Sequence, residues 1–178
     1  MAKIIPLDEY RELHLLRAGY CSWYRLFDDH FSVQTRPADL TNKTLSQLAE
    51  PGTKSTNALN ALIIGFLGYG IGATFEVLDN RIQGYILDIE LFIVDQIRFE
   101  VMNRLGWLGS FIGNRFCLFK MVRKFEQVKS ICHAHPPKLS ISHPAYKAYD
   151  KLIEQDQQVF IRRMLKDALM QFKMEHQL

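Results

Sequence analysis

The chain has 178 residues, of which 48% are hydrophobic and 12% aromatic, so it is long enough for a single domain and can fill a sizeable core. This composition excludes an intrinsically disordered chain. The net charge is only +3, with 10 Lys and Arg against 13 Asp and Glu in residues 1–114, and 12 against 6 in residues 115–178. The basic C-terminal third either attracts the rest of the chain or presents a different solvated face, or it meets an anion such as nucleic acid, phosphate or an acidic partner. We favour the first interpretation, because the basic excess of residues 115–178 is well below that of most nucleic-acid binders.

The cysteines and the apolar segments indicate the cellular compartment of the protein. Cys21, Cys117 and Cys132 form no CxxC pair and are odd in number, which is typical of a reducing cytoplasm rather than of a disulfide scaffold. The N-terminus has no apolar run long enough for a signal peptide. Residues 55–75 lack charge over 21 positions, but they contain two asparagines and four glycines. We therefore expect a soluble, cytoplasmic protein with no stable membrane span.

The first half of the chain contains three helical patterns. Apolar residues at steps of three and four predict an amphipathic helix from Leu7 to Phe31. Thr41 is a predicted cap for a short helix over residues 42–50, which Pro51-Gly52 ends. Ser55 or Thr56 is expected to cap the next helix, which weakens at a glycine-rich run over residues 65–72. Those glycines either end that helix or allow another helix to approach it closely.

Residues 82–105 form the most regular pattern in the chain. Isoleucines at 82, 86, 89, 93 and 97 are followed by Val101 and Leu105, which makes one continuous stripe along a helix. Further apolar residues leave only a narrow polar strip, so we expect other helices to surround this one. The alternative is a β-hairpin over 74–101 with its turn at Asp79-Asn80, because parts of the segment alternate. The length of the segment and the glycine after Leu105 favour the helix.

The C-terminal third predicts two more helices separated by a linker. Residues 115–131 form an amphipathic helix that Asn114 could cap, and residues 132–143 contain a paired proline that cannot lie inside a helix. A long helix follows over 144–178 and either completes the bundle or reaches a second subunit. The sequence therefore predicts an all-α, single-domain bundle of about five helices, in which residues 1–131 form the core around 82–105.

A few charged side chains interrupt the apolar central helix, and they are our first candidates for ligand binding. Asp88 and Asp95 lie two turns apart on one face, and Asp95 reaches Arg98 at three residues. Glu90 and Glu100 lie closer to the apolar stripe, where a buried carboxylate needs a partner. We expect basic partners from the 115–131 helix. Such charges form either an interhelical ion pair or a ligand site in a cleft.

Histidines cluster only in the linker. His133 and His135 point the same way if the segment is extended, and His143 is a possible third ligand, so these three are candidates for a metal site. A helical di-iron signature, with Glu-x-x-His on two helices, is absent. The motif Gly68-x-Gly70-x-x-Ala73 matches a relaxed dinucleotide fingerprint but lacks the βαβ context that the fingerprint requires. We therefore expect no cofactor.

Residues 45–62 resemble a helix-turn-helix, in which Ser55, Thr56, Asn57 and Asn60 could reach bases or phosphates. The second helix carries no arginine and continues into Ile63-Ile64, a composition that favours a core position over a DNA groove.

Three functions therefore stay open. The leading hypothesis is a non-enzymatic helical interaction or assembly module, with a homo-oligomer or another protein as partner, because no catalytic motif is present. The alternatives are an enzyme that binds a small molecule or metal through the acids of the central helix or the histidines at 133–143, and DNA binding through 45–62.

Overall fold

The protein is an all-α helical bundle with one very small sheet. The computed structural model describes residues 7–70 and 72–178. The described helices are α1 Leu7–Tyr20, α2 Trp23–Phe27, α3 Asn42–Ala49, α4 Thr53–Leu67, α5 Asn80–Arg104, α6 Leu118–Arg123, α7 Phe125–Ala134, α8 Tyr146–Tyr149 and α9 Glu154–His176. Strands β1 Leu108–Ser110 and β2 Lys138–Leu139 pair antiparallel, with Leu108 opposite Leu139. The predicted fold class is confirmed.

The helix over residues 82–105 was predicted correctly. It is α5, it extends from residue 80 to 104, and α3, α4, α6 and α9 pack against it. The Asp79 side chain caps it by accepting hydrogen bonds from the backbone N–H groups of Arg81 and Ile82, each at 3.0 Å. The alternative hairpin is therefore wrong, because Asp79 begins a helix instead of a turn between strands. Near the N-terminal end of α5, Leu87 and Leu91 remain exposed.

Helix α4 lies at the centre of the bundle and touches α1, α3, α5 and α6. The glycine-rich run that ends it includes Gly65, where a side chain would collide with the backbone of Gly19 and Ala18 in α1. Of the two readings of these glycines, close helix approach therefore holds at Gly65. The helix ends at Gly68, whose φ of 86° is a left-handed C-terminal cap. Helix α4 also begins earlier than predicted, because Ser55 lies inside its first turn.

Three predicted long helices are each divided. The Leu7–Phe31 helix breaks between α1 and α2 and ends before Asp28, which takes a left-handed φ of 47°. The 115–131 helix starts only at Leu118, and the non-helical backbone of Lys124 separates α6 from α7. The 144–178 helix divides into α8 and α9, and the extended backbone of Ile153 begins α9.

These breaks have packing reasons that the apolar periodicity does not contain. The turn after α1 lets Trp23 donate its indole N–H to the carbonyl of Ala58 at 2.8 Å. It also lets the ring of Tyr20 stack on the ring of Phe31, with centroids 5.0 Å apart. In the first turn of α9, the Gln157 carboxamide donates to the carbonyls of Tyr149 and Leu152, which precede the helix. A side chain thereby satisfies acceptors that a continuous helix would have satisfied itself.

The predicted linker over 132–143 is partly structured. Cys132 and His133 belong to the last turn of α7, which continues to Ala134, and Lys138–Leu139 is strand β2. After it, α9 packs along α5 and α3, so the C-terminal helix completes the bundle. Within residues 7–70 and 72–178, none of the helices is both long and apolar enough to cross a membrane.

Candidate functional site

A cavity of about 470 Å³ lies between α5, α7 and α9, beside the loop that follows β1; we call it the α5–α9 cavity. Its floor consists of buried or half-buried side chains, with one glycine: Phe92, Gln96, Phe99, Phe111, Gly113 and Cys132. Its rim is more polar and more exposed: Asp95, His133, His135, Glu154, Gln155 and Arg162. An apolar floor with a few convergent polar groups is the usual composition of a small-molecule site.

Gln96 is the unusual residue of the floor. It is only 5% exposed and lies on the buried side of α5. The neighbouring polar side chains of α5 are already paired, Asp95 with Arg162 and Arg98 with the Ala49 carbonyl. No side-chain hydrogen bond to another described residue involves Gln96, which lines the cavity, and its amide atoms stay within reach of water there. The amide is therefore available to a ligand that replaces this water.

Asp95 closes one side of the rim through an ion pair. Its carboxylate accepts a hydrogen bond from the guanidinium of Arg162 on α9 at 2.6 Å. The guanidinium carbon also lies 5.7 Å from the centre of the Phe99 ring, which is a cation–π contact. The predicted Asp95–Arg98 pair is wrong, because Asp95 pairs with Arg162 and Arg98 donates to the Ala49 carbonyl.

Two of the three predicted histidines belong to the cavity. His133 and His135 are exposed on its rim, and Nδ1 of His135 lies 3.1 Å from the Ile131 carbonyl oxygen. His143 is not on the cavity wall. Its ring packs edge-on against Trp107 with centroids 4.9 Å apart, and its Nδ1 accepts from the Ala145 N–H. Burial lowers the pKa of His143.

The three histidines therefore do not converge on one point. Within residues 7–70 and 72–178, no group of three or more His, Cys, Asp or Glu side chains is arranged to hold a metal ion. Zinc needs three or four ligands on a tetrahedron. Cys132 lies in the cavity floor as a neutral group, because burial raises the pKa of its thiol to about 11. A neutral thiol is a poor nucleophile and a poor metal ligand at pH 7.

The remaining predicted residues of α5 lie outside the cavity. Asp88 is exposed near the N-terminal half of the helix. Arg98 donates its Nε–H to the carbonyl of Ala49 at 3.0 Å and so satisfies an acceptor at the C-terminus of α3. These two residues do not join Asp95 in a common site.

Glu100 is a structural anchor rather than a ligand group. It is 2% exposed and accepts hydrogen bonds from Arg104 Nε at 3.1 Å and Asn103 Nδ2 at 3.2 Å. Burial raises the pKa of Glu100, and Arg104 opposes this shift. The same Arg104 guanidinium donates to the Asn42 side chain at 2.6 Å and to the Leu40 carbonyl at 2.7 Å. The pair therefore holds the chain before α3 against the end of α5.

The helix-turn-helix candidate corresponds to α3 and α4, and its polar residues are largely occupied. Ser55 donates its hydroxyl to the carbonyls of Glu50 and Gly52, and Asn60 is buried. Of the four suggested contact residues, only Asn57 is exposed. A second cavity of about 780 Å³ lies here, at the α3–α4 turn and α2. It is larger, and its lining includes Ser22, whose buried hydroxyl has no hydrogen-bond partner among the described residues, whereas Ser55 already has partners. The candidates Asp95, His133 and His135 line the α5–α9 cavity instead.

Sequence reasoning missed Gln96, Arg162 and the aromatic floor. Gln96 lies between charged candidates on α5, but a neutral side chain in an apolar stripe carries no signal of its own. Arg162 lies 67 residues from Asp95, and only the docking of α9 brings the two together. No protein-family model, curated protein or solved structure matches this chain.

Proposed function

We propose that this chain is a non-enzymatic helical binding protein that holds a small organic ligand in the α5–α9 cavity. The observation that carries the proposal is Gln96, a largely buried glutamine that lines the cavity and makes no side-chain hydrogen bond to another described residue. A ligand that pairs with this amide replaces its contact with water by a directional hydrogen bond in a largely apolar site. The volume of about 470 Å³ lies within the range of ligand pockets.

The chemistry of the cavity supports binding more than catalysis. Its thiol, Cys132, has a pKa of about 11 and stays protonated at neutral pH. Of the carboxylates on its rim, Asp95 is engaged with Arg162 and Glu154 is exposed, as are His133 and His135. General-base and nucleophilic catalysis need a free base or an activated nucleophile close to the substrate. Cys132 and Asp95 therefore serve binding and rim structure in the proposed function, and the exposed rim groups lie away from the floor.

The test is an NMR titration of the ¹⁵N-labelled protein with isopropylbenzene, an apolar probe that fits an aromatic floor. We expect saturable shifts at the backbone amides of residues 111–113 and 132–135, which border the cavity. Ile112→Trp narrows the cavity and should abolish these shifts. Ile141→Trp makes the same change at a position that is 81% exposed and outside the cavity, and it should leave them intact.

Absence of saturable shifts in the wild-type protein would refute the proposed site. Equal shifts in the wild-type protein and Ile112→Trp would refute it too, because the probe would then bind elsewhere. Circular dichroism melting of both variants separates a blocked cavity from an unfolded chain.

The first two turns of α1 favour a second function, assembly with another copy of the chain. Residues 7–14 are all exposed, and the apolar side chains among them are Leu7 at 64%, Tyr10 at 61% and Leu13 at 41%. The charged residues among them are Asp8, Glu9, Arg11 and Glu12, so Arg11 of one copy can pair with an acid of the other. This surface is the strongest support for the interaction module expected from the sequence.

Size-exclusion chromatography with light scattering tests the assembly. We expect a mass above that of one chain, and we expect Tyr10→Glu to shift it toward the monomer because a charge is costly in an apolar contact. Val77→Glu, at a position that is 75% exposed on the loop before α5, is the control and should not change the mass. A wild-type protein that stays monomeric at high concentration would overturn this second proposal.

A further inference from the structure

We infer that the α5–α9 cavity selects a neutral aromatic ligand that carries a carboxamide or an equivalent edge with a hydrogen-bond donor beside an acceptor. The inference rests on the proposed ligand-binding function and names the chemical class of the ligand. It follows from the hydrogen-bonding capacity of Gln96, from the walls around it and from the position of the charges.

The Gln96 side chain determines the polar edge of the ligand. A glutamine carboxamide presents two N–H donors and one carbonyl acceptor side by side. A partner that offers a donor beside an acceptor can satisfy both at once, in the way that glutamine pairs with the edge of a base. A ligand with only acceptors or only donors leaves half of the amide unpaired in a buried site, which is unfavourable.

Gly113 supplies the space that the Gln96 amide occupies. A side chain at residue 113 would collide with Oε1 of Gln96 and with the ring of Phe111. Glycine at residue 113 therefore allows the loop after β1 to lie close to the amide oxygen.

The walls determine the aromatic body. Phe99 and Phe111 meet edge to face with centroids 5.9 Å apart, and Phe92 forms a similar contact with Phe125 at 5.7 Å. The rings of Phe92, Phe99 and Phe111 all border the cavity. A planar aromatic ligand can extend this edge-to-face arrangement, which contributes beyond the apolar area that it buries.

The distribution of charge determines that the ligand is neutral. The ionisable pair Asp95 and Arg162 is at the rim, where each is partly exposed and already has the other as partner. The floor contains a neutral amide and a protonated thiol. A charge placed on that floor would lose its hydration without an ionic partner, which is costly.

Benzamide is the smallest probe with the inferred chemistry, and isopropylbenzene is its apolar counterpart of similar shape. The experiment measures both dissociation constants by NMR for the wild-type protein, Gln96→Met and Gln155→Met. Gln96→Met keeps the length of the side chain and removes its hydrogen bonds. Gln155→Met makes the same change at an exposed position on the rim and is the matched control.

We expect Gln96→Met to weaken benzamide binding about tenfold and to leave isopropylbenzene binding within about twofold, since two hydrogen bonds are lost from one probe only. Gln155→Met should change neither constant. In the wild-type protein, the side-chain amide signals of Gln96 should move on addition of benzamide.

The outcomes separate this inference from the proposed function. If isopropylbenzene binds in the cavity but benzamide binding is insensitive to Gln96→Met, the ligand class is wrong and the binding function stands. If neither probe perturbs the cavity residues of the wild-type protein, both are overturned. If Gln96→Met weakens both probes equally, the substitution has altered the cavity shape, and the assignment of the amide contact is refuted.

Discussion

Arg162 of α9 donates to the carboxylate of Asp95 of α5 at 2.6 Å and so links the C-terminal helix to the rim of the α5–α9 cavity. The arginine side chain is about half exposed, so the pair is partly solvated. Such ion pairs stabilise a protein by roughly 0–1 kcal/mol. We therefore expect the pair to affect access to the cavity more than the free energy of unfolding.

Arg162→Ala tests that expectation through Cys132, which lies in the cavity floor. In a protein that carries Cys21→Ser and Cys117→Ser, the remaining thiol reports entry of a thiol reagent. We expect Arg162→Ala to speed modification of Cys132 several-fold while the free energy of unfolding changes by less than about 1 kcal/mol. Arg163→Ala, at the neighbouring exposed position outside the cavity, should leave the rate unchanged. Equal rates in all three proteins would show that the pair does not control access.

The contact between Gly65 and Gly19 predicts a steric effect on stability. A Cβ at residue 65 would lie 2.6 Å from the Ala18 carbonyl carbon and would also meet the backbone of Gly19. Gly65→Ala should therefore push α1 away from α4 and destabilise the protein by about 1–3 kcal/mol or more, because a rigid backbone cannot yield as a side chain does. Chemical denaturation measures the change.

Gly84→Ala is the matched control for Gly65→Ala. Gly84 lies inside α5, and a Cβ there would meet nothing within 4 Å. Alanine should raise the free energy of unfolding by up to about 1 kcal/mol through its higher helix propensity. If Gly65→Ala also stabilised the protein, the close approach of α1 and α4 would be wrong.

The sequence predicts the helices of this fold better than it predicts where they break. The stripe of isoleucines predicts α5, and the predicted cap Thr41 marks a real helix start, because helix periodicity and capping are local properties. The breaks at Lys124 and Ile153 carry neither glycine nor proline. They depend on which neighbours the flanking residues meet, and that information is distributed over the whole chain.

The candidate site was predictable to a similar depth. The sequence identifies Asp95, His133 and His135 as unusual residues, and all three lie on the cavity rim. Their meeting depends on the docking of α9 and on the paired prolines at 136 and 137, which no local pattern describes. Gln96 carries no charge and occupies an apolar helix face, so only its position in the cavity wall identifies it.

The Glu100–Arg104 pair predicts a large loss of stability when one partner is removed. Arg104 neutralises a carboxylate that is almost fully buried and also holds the Leu40 carbonyl and the Asn42 side chain. Arg104→Met should lower the free energy of unfolding by about 3–5 kcal/mol, since it leaves Glu100 buried without its charge partner.

The double variant Arg104→Met, Glu100→Met distinguishes the cost of the unpaired charge from the lost loop contacts. It should be more stable than Arg104→Met alone, because the buried carboxylate is gone, although the loop contacts stay lost. A double variant that is less stable than the single one, measured by urea denaturation, would contradict this account.

Glu90 predicts a dependence of stability on pH. It is 8% exposed, and burial raises its pKa above the ordinary value of 4.5 while a hydrogen bond from Thr56 opposes the shift. Above pH 4.5 the folded protein therefore keeps a proton that the unfolded chain has released, and the contribution of Glu90 to stability falls as the pH rises through its folded-state pKa.

Glu90→Gln removes this ionisation and keeps an acceptor for Thr56. Relative to the wild-type protein, the variant should gain stability as the pH rises through the folded-state pKa of Glu90 and keep that gain at higher pH, as measured by thermal unfolding at each pH. A difference between Glu90→Gln and the wild-type protein that does not change with pH would mean that Glu90 ionises as freely in the bundle as in water.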